Sequence, residues 1–247
     1  MTDRYGVIGH PIGHSKSPVI HRLFAAQTGE DLSYEAFDIR PEDLATRLPA
    51  LAQEGLRGFN VTVPHKEAVA RLADQLTDRA HLAGAVNTVI IAADGRFDGD
   101  NTDGVGLLTD LKDNLGLQLK GARLLVLGAG GATRGIVPAL LGSGPAEFCI
   151  ANRSIERARE VAGHFERLGA IRACRFDELP AAPWDLVINA TAAGLQGGVP
   201  PVPKAVIGPD TACYDLSYAM TDTPFVGWAR RLGAKRAWQG WGMLVEQ

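Results

Sequence analysis

Strand-like and helix-like segments alternate along the whole chain, and this pattern constrains the fold more than any single residue does. Short apolar runs with the length of buried strands include RYGVIG, SYEAFDI, GFNVTV, ARLLVLG, AEFCIAN and WDLVINAT. Helix-like stretches such as PEDLATRLPALAQ, HKEAVARLADQL and SIERAREVAGHFERLG separate them. Because such alternation is typical of parallel strands joined by helical crossovers, we expect an α/β fold.

A domain boundary is expected near Asp103. The strand-like runs before it are enough for one mainly parallel sheet, and a second series begins at KGARLLVLGAGGA. We therefore predict an N-terminal α/β domain over residues 1–103 and a second α/β domain over residues 104–239. Ligands prefer domain interfaces and the carboxyl ends of parallel strands, so we expect a cleft between the two domains.

Composition and charge argue against several classes of partner. The 247 residues include 25 basic and 28 acidic side chains, a net charge of -3, which gives no signal for nucleic acid. No apolar run approaches the ~18 residues of a membrane span, and the first residues lack the apolar core of a signal peptide. Cys149, Cys174 and Cys213 lie in apolar runs without metal-like spacing, as expected for buried thiols in a reducing compartment. We expect a cytoplasmic protein.

The segment LLVLGAGGATRG is a strand-like run that leads through a glycine-rich turn into a helix. In a dinucleotide-binding turn, Gly128 would permit the tight bend and Gly130 would let the backbone approach a pyrophosphate at the helix N-terminus. The third position of the fingerprint is Thr133 rather than Gly or Ala. The alternative is an ordinary strand-to-helix turn, but the strand–turn–helix context favours dinucleotide binding.

The next strand-like run, AEFCIAN, ends where an NAD-binding protein carries an acidic residue for the ribose 2′-hydroxyl. Here Asn152 and Arg153 stand at that point, and Arg157 follows one helical turn later. Two guanidinium groups suit a dianionic 2′-phosphate. The alternative is that both arginines are solvated helix charges, but downstream of the glycine turn they predict NADP as the cofactor.

Polar side chains in the first domain cluster at expected strand ends and tight loops. Two neighbouring hydroxyls suit a carboxylate ligand, and amides, an ammonium and a carboxylate suit a set of substrate hydroxyls. These candidate residues are Ser15, Ser17, Asn60, Thr62, Lys66, Asn87 and Asp103.

Simpler interpretations exist for several of these residues. Ser17 could be only a helix cap, Asp103 only a turn residue, and Lys66 only a solvated charge, although a cation at a helix start is mildly unfavourable. The segment DGDNTDG lacks the glycine and glutamate of a calcium loop. His10 and His14 lie in a Gly/Pro-containing loop with no third ligand evident, so we expect no metal site.

The chain resembles the shikimate dehydrogenase family in the order of its motifs over nearly its whole length. These motifs are GHSKSP, NVTVPHK, GAVNT, DNTDG, GAGGA, NRS with a later Arg, NAT and GMLVEQ. The resemblance implies an N-terminal substrate domain, a Rossmann-type NADP domain over 104–239, and a final segment, 240–247, that returns to the first domain. It implies an oxidoreductase that reversibly reduces 3-dehydroshikimate to shikimate with NADPH, in chorismate and aromatic amino acid biosynthesis.

The resemblance also implies roles for particular residues. Lys66 and Asp103 correspond to the catalytic pair, and both also contact the substrate. Further substrate contacts implied are Ser15 and Ser17 for the carboxylate, and Asn60, Thr62, Asn87 and Gln247 for ring hydroxyls and positioning. Cofactor contacts implied are Gly128, Ala129, Gly130, Gly131, Ala132, Asn152, Arg153, Ser154, Arg157, Thr191, Leu216, Tyr218 and Gly240.

The sequence departs from the family pattern at three points. Ser154 stands where the family usually has Thr, and Ala192 follows NAT where Ser is usual. The sequence ends at Gln247, where the family pattern leads us to expect a terminal helix that continues further.

The mechanism implied is hydride transfer to a ketone carbon while Lys66 stabilises charge on the ketone oxygen and donates a proton. Asp103 would hold a substrate hydroxyl and orient Lys66.

The expected partner is the small-molecule substrate, shikimate or 3-dehydroshikimate. The protein is expected to be a monomer or a homodimer. Three alternatives are a quinate/shikimate dehydrogenase of broader substrate and cofactor range, a methylenetetrahydrofolate dehydrogenase, and a non-enzymatic dinucleotide-binding regulator. The serine pair argues against the second, and a regulator would not need Lys66 and Asp103 together.

Overall fold

Two separate sheets are formed by the described residues, 2–13 and 15–247, of a computed structural model of the chain. By internal packing the chain divides into two units, Met1–Thr102 and Asp103–Gln247. The division falls one residue before the expected end of the first domain. Residues 240–247 are grouped with the second unit, which differs from the expected return to the first. The roles of the two units remain predictions at this point.

The first unit contains a mixed sheet. Its strands are β1 (Asp3–Gly9), β2 (Leu32–Asp38), β3 (Leu56–Val61), β4 (Gln75–Leu76), β5 (Thr88–Ile91) and β6 (Phe97–Asp100), and its helices are α1 (Ser17–Thr28), α2 (Leu44–Gln53, preceded by a 3₁₀ turn at Pro41–Asp43), α3 (Lys66–Leu72) and α4 (Asp78–Ala83). The strand order is β2-β1-β3-β5-β6-β4. β1 runs parallel to β2 and β3, whereas β5 runs antiparallel to β3 and β6. The carboxyl ends of β1 and β3 therefore lie side by side and lead into the polar loops of this unit.

The core of the first unit explains why these segments form strands. Ile8, Phe59 and Val61 are buried on β1 and β3, where Leu48 and Leu51 of α2 belong to the same hydrophobic cluster. Apolar side chains at spacings of three and four place one face of α2 on the sheet. The strands are thus held rigidly, and the residues that follow them are positioned by a packed core.

The second unit contains a parallel sheet. Its strands are β7 (Arg123–Leu127), β8 (Glu147–Asn152), β9 (Arg172–Arg175), β10 (Leu186–Asn189), β11 (Ala212–Asp215) and β12 (Arg236–Gln239), and its helices are α5 (Asp103–Thr109, continued by a π-helical turn at Asp110–Asn114), α6 (Gly131–Gly142), α7 (Ile155–His164), α8 (Pro224–Arg231) and α9 (Trp241–Glu246). Short 3₁₀ turns lie at Phe176–Glu178, Ala192–Gln196 and Lys204–Val206. The strand order is β12-β11-β10-β7-β8-β9. This is the doubly wound Rossmann order, whose direction reverses between β7 and β10.

Hydrophobic clusters cover both faces of the second sheet. Along β7, Leu124 and Val126 belong to one cluster, and Leu125 and Leu127 to the other. A parallel sheet needs this covering because helices cross over on both of its faces. The predicted α/β class with a Rossmann-type second domain is confirmed.

Several short elements differ from the sequence-based expectation. The helix expected over residues 65–76 begins at Lys66 and ends at Leu72, and β4 and α4 follow it. The chain leaves the helix because Asp74 pairs with Phe97 instead: its N–H donates to the Phe97 carbonyl, and its carboxylate accepts from the Phe97 N–H at 2.7 Å. The helix expected through Gly169 ends at His164, and β9, α8 and β12 had not been distinguished from loops.

Helix α9 belongs to the second unit because it packs closely on α5. A Cβ added to Gly106 of α5 would lie 3.0 Å from the Met243 carbonyl oxygen and 3.1 Å from the Gln247 nitrogen. Glycine therefore permits the two helices to approach at this point. The packing supplies the physical reason why 240–247 group with the second unit.

The cysteines are buried thiols, as expected. Cys149, Cys174 and Cys213 are free, and the sulfur atoms of Cys149 and Cys174 lie 3.5 Å apart on adjacent strands. Among the described residues, no helix combines the length and the apolar character that crossing a bilayer requires.

Candidate active site

The loop after β1 brings Ser15 and Ser17 into contact through a hydrogen bond. The backbone N–H of Ser17 donates to the Ser15 hydroxyl oxygen at 3.3 Å. Lys16, not Ser17, occupies the cap position of α1, and Pro18 stands in its first turn. His21, one turn later, hydrogen-bonds the Ser17 carbonyl through Nδ1 at 3.0 Å. The interpretation of Ser17 as only a helix cap is therefore not supported.

Asn60 and Asn87 form one hydrogen-bonded cluster on β3 and the start of β5. Asn60 Oδ1 accepts from the Tyr34 hydroxyl at 2.6 Å, while its Nδ2 donates to the Asn87 carbonyl at 3.2 Å and to the Thr88 hydroxyl at 3.1 Å. Asn87 is 2% exposed and binds Thr102 twice, through Nδ2 to Oγ1 at 2.8 Å and through Oδ1 from the backbone N–H at 3.0 Å. Because both N–H bonds of the Asn60 amide donate within the protein, its carbonyl oxygen is the atom better suited to a ligand.

Lys66 is the first residue of α3, directly after the loop that follows β3. Its side chain is half-buried, and the preceding His65 is 1% exposed with Nε2 2.7 Å from the Ile39 carbonyl. Burial lowers the pKa of His65, so this ring stays neutral and donates to the carbonyl. His65 therefore fixes the start of α3, and with it the position of Lys66.

Asp103 begins α5 and is fully buried. Its Oδ1 accepts a hydrogen bond from the Gln247 side-chain nitrogen at 3.1 Å. These two predicted residues, 144 positions apart in the sequence, are thus brought together within the second unit. A buried carboxylate needs such donors, because an unpaired charge in the interior costs several kcal/mol.

The glycine-rich turn lies at the carboxyl end of β7, beside the point where the sheet order reverses. Gly128 has φ +108°, and a Cβ there would lie 3.0 Å from the Ala190 carbonyl oxygen. Gly130, the cap residue of α6, has open space around its Cβ direction. Thr133, which replaces the third glycine of the fingerprint, is buried. Its hydroxyl donates to the Gly128 carbonyl at 2.9 Å and so links the helix to the turn.

The end of β8 places the predicted 2′-phosphate residues beside this turn. Arg157 donates through Nη2 to the Ala129 carbonyl at 3.4 Å. The Ser154 hydroxyl caps α7 by accepting from the Arg157 N–H at 3.4 Å, and donates to Glu156 at 2.7 Å. The Asn152 amide donates to the Ser154 carbonyl at 3.0 Å, and the Arg153 side chain is exposed. The turn and the arginine-bearing helix are therefore adjacent, as a dinucleotide site requires.

A buried polar network lies at the carboxyl ends of β10 and β11. Asp215 is fully buried and accepts from Asn189 Nδ2 at 3.0 Å, from the Ser217 N–H at 3.1 Å and from the Thr223 hydroxyl at 2.6 Å. Burial raises the pKa of Asp215, and these hydrogen bonds oppose that rise. Asn189 Oδ1 accepts from the Thr191 hydroxyl at 2.7 Å, which connects Thr191 to the same network.

The residues after β11 and β12 are close to one another. Gly240 donates its N–H to the Ser217 carbonyl at 3.0 Å, and a Cβ on Gly240 would lie 2.5 Å from the Leu216 carbonyl oxygen. The rings of Tyr218 and Trp241 lie 4.5 Å apart. Leu216, Tyr218 and Gly240 thus lie beyond the carboxyl ends of β11 and β12.

Sequence reasoning did not select Tyr34, Asn189 or Asp215 as site residues. Asn189 and Asp215 carry a signal that could have found them, since each is a polar residue ending an apolar strand. Tyr34 lies within β2 and has no such signal. Of the two histidines considered for a metal site, His14 lies outside the described residues, and His10 hydrogen-bonds Asp38 through Nδ1 at 2.6 Å.

Comparison with protein families gives two matches. The model of the shikimate dehydrogenase substrate binding domain matches residues 7–89. The model of shikimate / quinate 5-dehydrogenase matches residues 110–196. Each match falls within one of the two units.

Whole-chain comparisons give the same family. "Shikimate dehydrogenase (NADP(+))" of Methylococcus capsulatus is 51% identical over 245 residues, 99% of this chain and 88% of that protein. The protein of that name from Halorhodospira halophila is 52% identical over 247 residues, 100% of this chain and 90% of its own length. The crystal structure of shikimate 5-dehydrogenase from Thermus thermophilus in complex with NADP(H) and shikimate matches with TM-score 0.84 at 36% identity, over 99% of this chain and 90% of that one.

Proposed function

Because the chain belongs to the shikimate dehydrogenase family, we propose that Lys66 and Asp103 carry the proton chemistry and substrate binding of that reaction. The chain is an NADP-dependent oxidoreductase that interconverts 3-dehydroshikimate and shikimate in aromatic biosynthesis. The observation that carries the proposal is the fully buried Asp103 carboxylate, hydrogen-bonded to Gln247 in the unit that also carries the glycine-rich turn.

The residues of the second unit fit NADP. Open space beyond the Gly130 Cβ direction and Arg157 beside Ala129 suit a pyrophosphate and a further phosphate. The first-turn N–H groups of α6 can add donors, because such groups have no acceptor within the helix. When bound, NADPH supplies the hydride that reduces the ketone. Residues proposed to hold it are Gly128, Ala129, Gly130, Gly131, Ala132, Asn152, Arg153, Ser154, Arg157 and Thr191, with Leu216, Tyr218 and Gly240 near the nicotinamide.

Lys66 is proposed as the proton donor during ketone reduction and the acceptor in the reverse direction. Its ammonium would stabilise the negative charge that develops on the ketone oxygen. A cation at the start of a helix is disfavoured by the helix dipole, so this position supports a functional reason for the charge.

Asp103 is proposed to accept a hydrogen bond from a substrate hydroxyl. Gln247 restrains the carboxylate through Oδ1, so that its orientation is set before substrate binds. A charged acceptor makes a hydrogen bond roughly twice as strong as a neutral one, and this strength would orient the ring.

The first unit is proposed to hold the rest of the substrate. Ser15 and Ser17, joined by a hydrogen bond at 3.3 Å, would bind the carboxylate. Asn87 and Thr62 would bind ring hydroxyls. Asn60 would accept a hydrogen bond through its side-chain carbonyl oxygen and would position Asn87 by donating to the Asn87 backbone carbonyl. Support comes from the position of all five at or near the ends of β1, β3 and β5.

The alternative within the family is broader use of quinate, which the family description of residues 110–196 names, or of NAD. The test is a set of initial rates with shikimate and quinate, each with NADP⁺ and NAD⁺. We expect shikimate with NADP⁺ to give the highest kcat/KM. Turnover with quinate and NAD⁺ at an equal kcat/KM would contradict the assignment.

We infer that the enzyme acts in the cytoplasm, which the buried free thiols Cys149, Cys174 and Cys213 support. A monomer or homodimer is the proposed assembly, and sedimentation velocity would measure it. We expect neither nucleic acid nor a membrane among its partners.

A further inference from the structure

We propose that Asp110 and Tyr214 are positioning residues for the reaction, because together they fix the helix that presents Gln247 to the Asp103 carboxylate. The inference rests on the proposed roles of Asp103 and Gln247. It adds two buried side chains that the sequence analysis did not select.

The first observation is a buried carboxylate–tyrosine pair. The Tyr214 hydroxyl donates to Asp110 Oδ2 at 2.5 Å and accepts from the backbone N–H of Met243 at 3.2 Å. Tyr214 is fully buried and Asp110 is 5% exposed. Burial and the neighbouring carboxylate raise the pKa of Tyr214, so its hydroxyl retains the proton that it donates. Asn114 Nδ2 also donates a hydrogen bond to Asp110 Oδ1 at 3.0 Å.

The second observation is that the first turn of α9 packs against the Asp110 carboxylate. A Cβ added to Gly242 would lie 2.0 Å from Asp110 Oδ1, so glycine alone lets the first turn of α9 come this close. N–H groups in a first turn have no acceptor within the helix, and a carboxylate beside them is favourable. Asp110 therefore packs directly against the N-terminal turn of α9.

The third observation concerns the other end of the same helix. The Gln247 N–H donates to the Met243 carbonyl at 3.1 Å, and the Gln247 side chain donates to Asp103 Oδ1 at 3.1 Å. Asp103 begins α5, and Asp110 begins the π-helical turn that continues α5. Helix α9 is thus attached at both ends to one helical segment, 103–114.

These attachments hold α9 in place, because tertiary contacts supply most of the stability of a helix in a folded protein. The direction of the Gln247 side chain therefore depends on what holds Met243 and the first turn. Loss of the Tyr214 hydroxyl removes one acceptor from that turn and one donor from Asp110, and Gln247 loses its fixed position on Asp103.

The test is a double-mutant cycle on the full chain with Tyr214→Phe and Gln247→Ala. We expect Tyr214→Phe to lower kcat/KM for shikimate about tenfold or more, since displacements near 1 Å at a reacting centre can have such effects. The NADPH dissociation constant, measured by fluorescence, should change less than about twofold. In the Gln247→Ala background the same substitution should lower kcat/KM less than about threefold, because coupled residues are not additive.

The control is Thr211→Val, which removes another buried hydroxyl, bound to the Trp184 carbonyl at 2.7 Å just before β11. It should lower the melting temperature without changing kcat/KM. Equal losses from Tyr214→Phe with and without the Gln247 side chain would overturn the proposal. If Tyr214→Phe does not fold, Asp110→Asn takes its place in the same cycle, with the same outcomes.

A readout independent of turnover separates this inference from the proposed function. Amide hydrogen exchange of residues 240–247 should be faster in Tyr214→Phe than in the wild type and in Thr211→Val. Unchanged exchange there would contradict the positioning role. A wild-type protein without shikimate turnover would instead contradict the proposed function.

Discussion

The two glycines of the turn after β7 offer a matched pair of substitutions, because the structure assigns different reasons to them. Gly128 has φ +108°, and a Cβ would lie 3.0 Å from the Ala190 carbonyl oxygen and 3.2 Å from Thr191 Cγ2. Gly130 has φ -109° and nothing within 4 Å of its Cβ direction. Gly128→Ala therefore tests the fold, whereas Gly130→Ala tests the ligand.

The expected stability changes follow from these geometries. Alanine in the left-handed region costs about 1–3 kcal/mol, and each kcal/mol lowers the melting temperature of a chain this long by about 2–4 °C. Gly128→Ala should therefore melt about 2–12 °C lower. For Gly130→Ala, a smaller unfolded-state entropy stabilises by about 0.4–1 kcal/mol, and the poorer helix cap destabilises by a similar amount. Its ligand-free melting temperature should stay within about 2 °C of the wild type.

Gly130→Ala should change NADPH binding much more than it changes stability. If the pyrophosphate lies over Gly130, the added methyl group occupies part of its space, and the NADPH dissociation constant should rise about tenfold or more, or about 1.4 kcal/mol. Differential scanning fluorimetry without ligand and NADPH fluorescence titration measure the two quantities. Unchanged NADPH affinity in a folded Gly130→Ala protein would refute the assignment of this turn to the cofactor.

Three further predictions concern charge. Lys66→Ala should lower kcat by ~10²–10⁴ with the NADPH dissociation constant nearly unchanged, and full activity in steady-state assays would remove Lys66 from the chemistry. Arg153→Ala should weaken NADP⁺ far more than NAD⁺ in parallel titrations, whereas equal loss for both would indicate a fold effect. Hydrogen bonds from Arg79 lower the pKa of Asp100 from 3.8 to about 2, so its stabilising contribution is complete above pH 3.8 and is lost as pH falls toward 2. The melting-temperature difference between wild type and Asp100→Asn should narrow over that range, and a constant difference would contradict this.

Much of the fold could be predicted from the sequence, because the apolar strands and the glycine-rich turn are local signals. The predicted runs for β1, β3, β7, β8 and β10 correspond to observed strands. The predicted helix extends beyond α3 because Asp74 hydrogen-bonds Phe97, 23 positions away, instead of continuing the helix. No local sequence pattern indicates this long-range pairing.

The candidate residues could be selected from local patterns where a polar side chain lies in a tight loop or at a strand end, as with Asp103 and Asn87. The contacts between these residues could not be predicted from local patterns. Gln247 hydrogen-bonds Asp103, 144 positions away, and Tyr214 hydrogen-bonds Asp110, 104 positions away. Both contacts depend on the packing of α9, which no local sequence pattern indicates. The roles of the individual residues in catalysis stay predictions until the variants are measured.

The buried polar pair at the ends of β10 and β11 has a consequence for strand alignment. Every residue of both strands is buried, so sliding one strand past the other by one position would exchange one apolar environment for another at small cost. Such a slip would separate Asn189 from Asp215 and leave a buried carboxylate short of a donor. Polar groups beside the proposed cofactor site would thereby also select the native pairing of the strands that carry them.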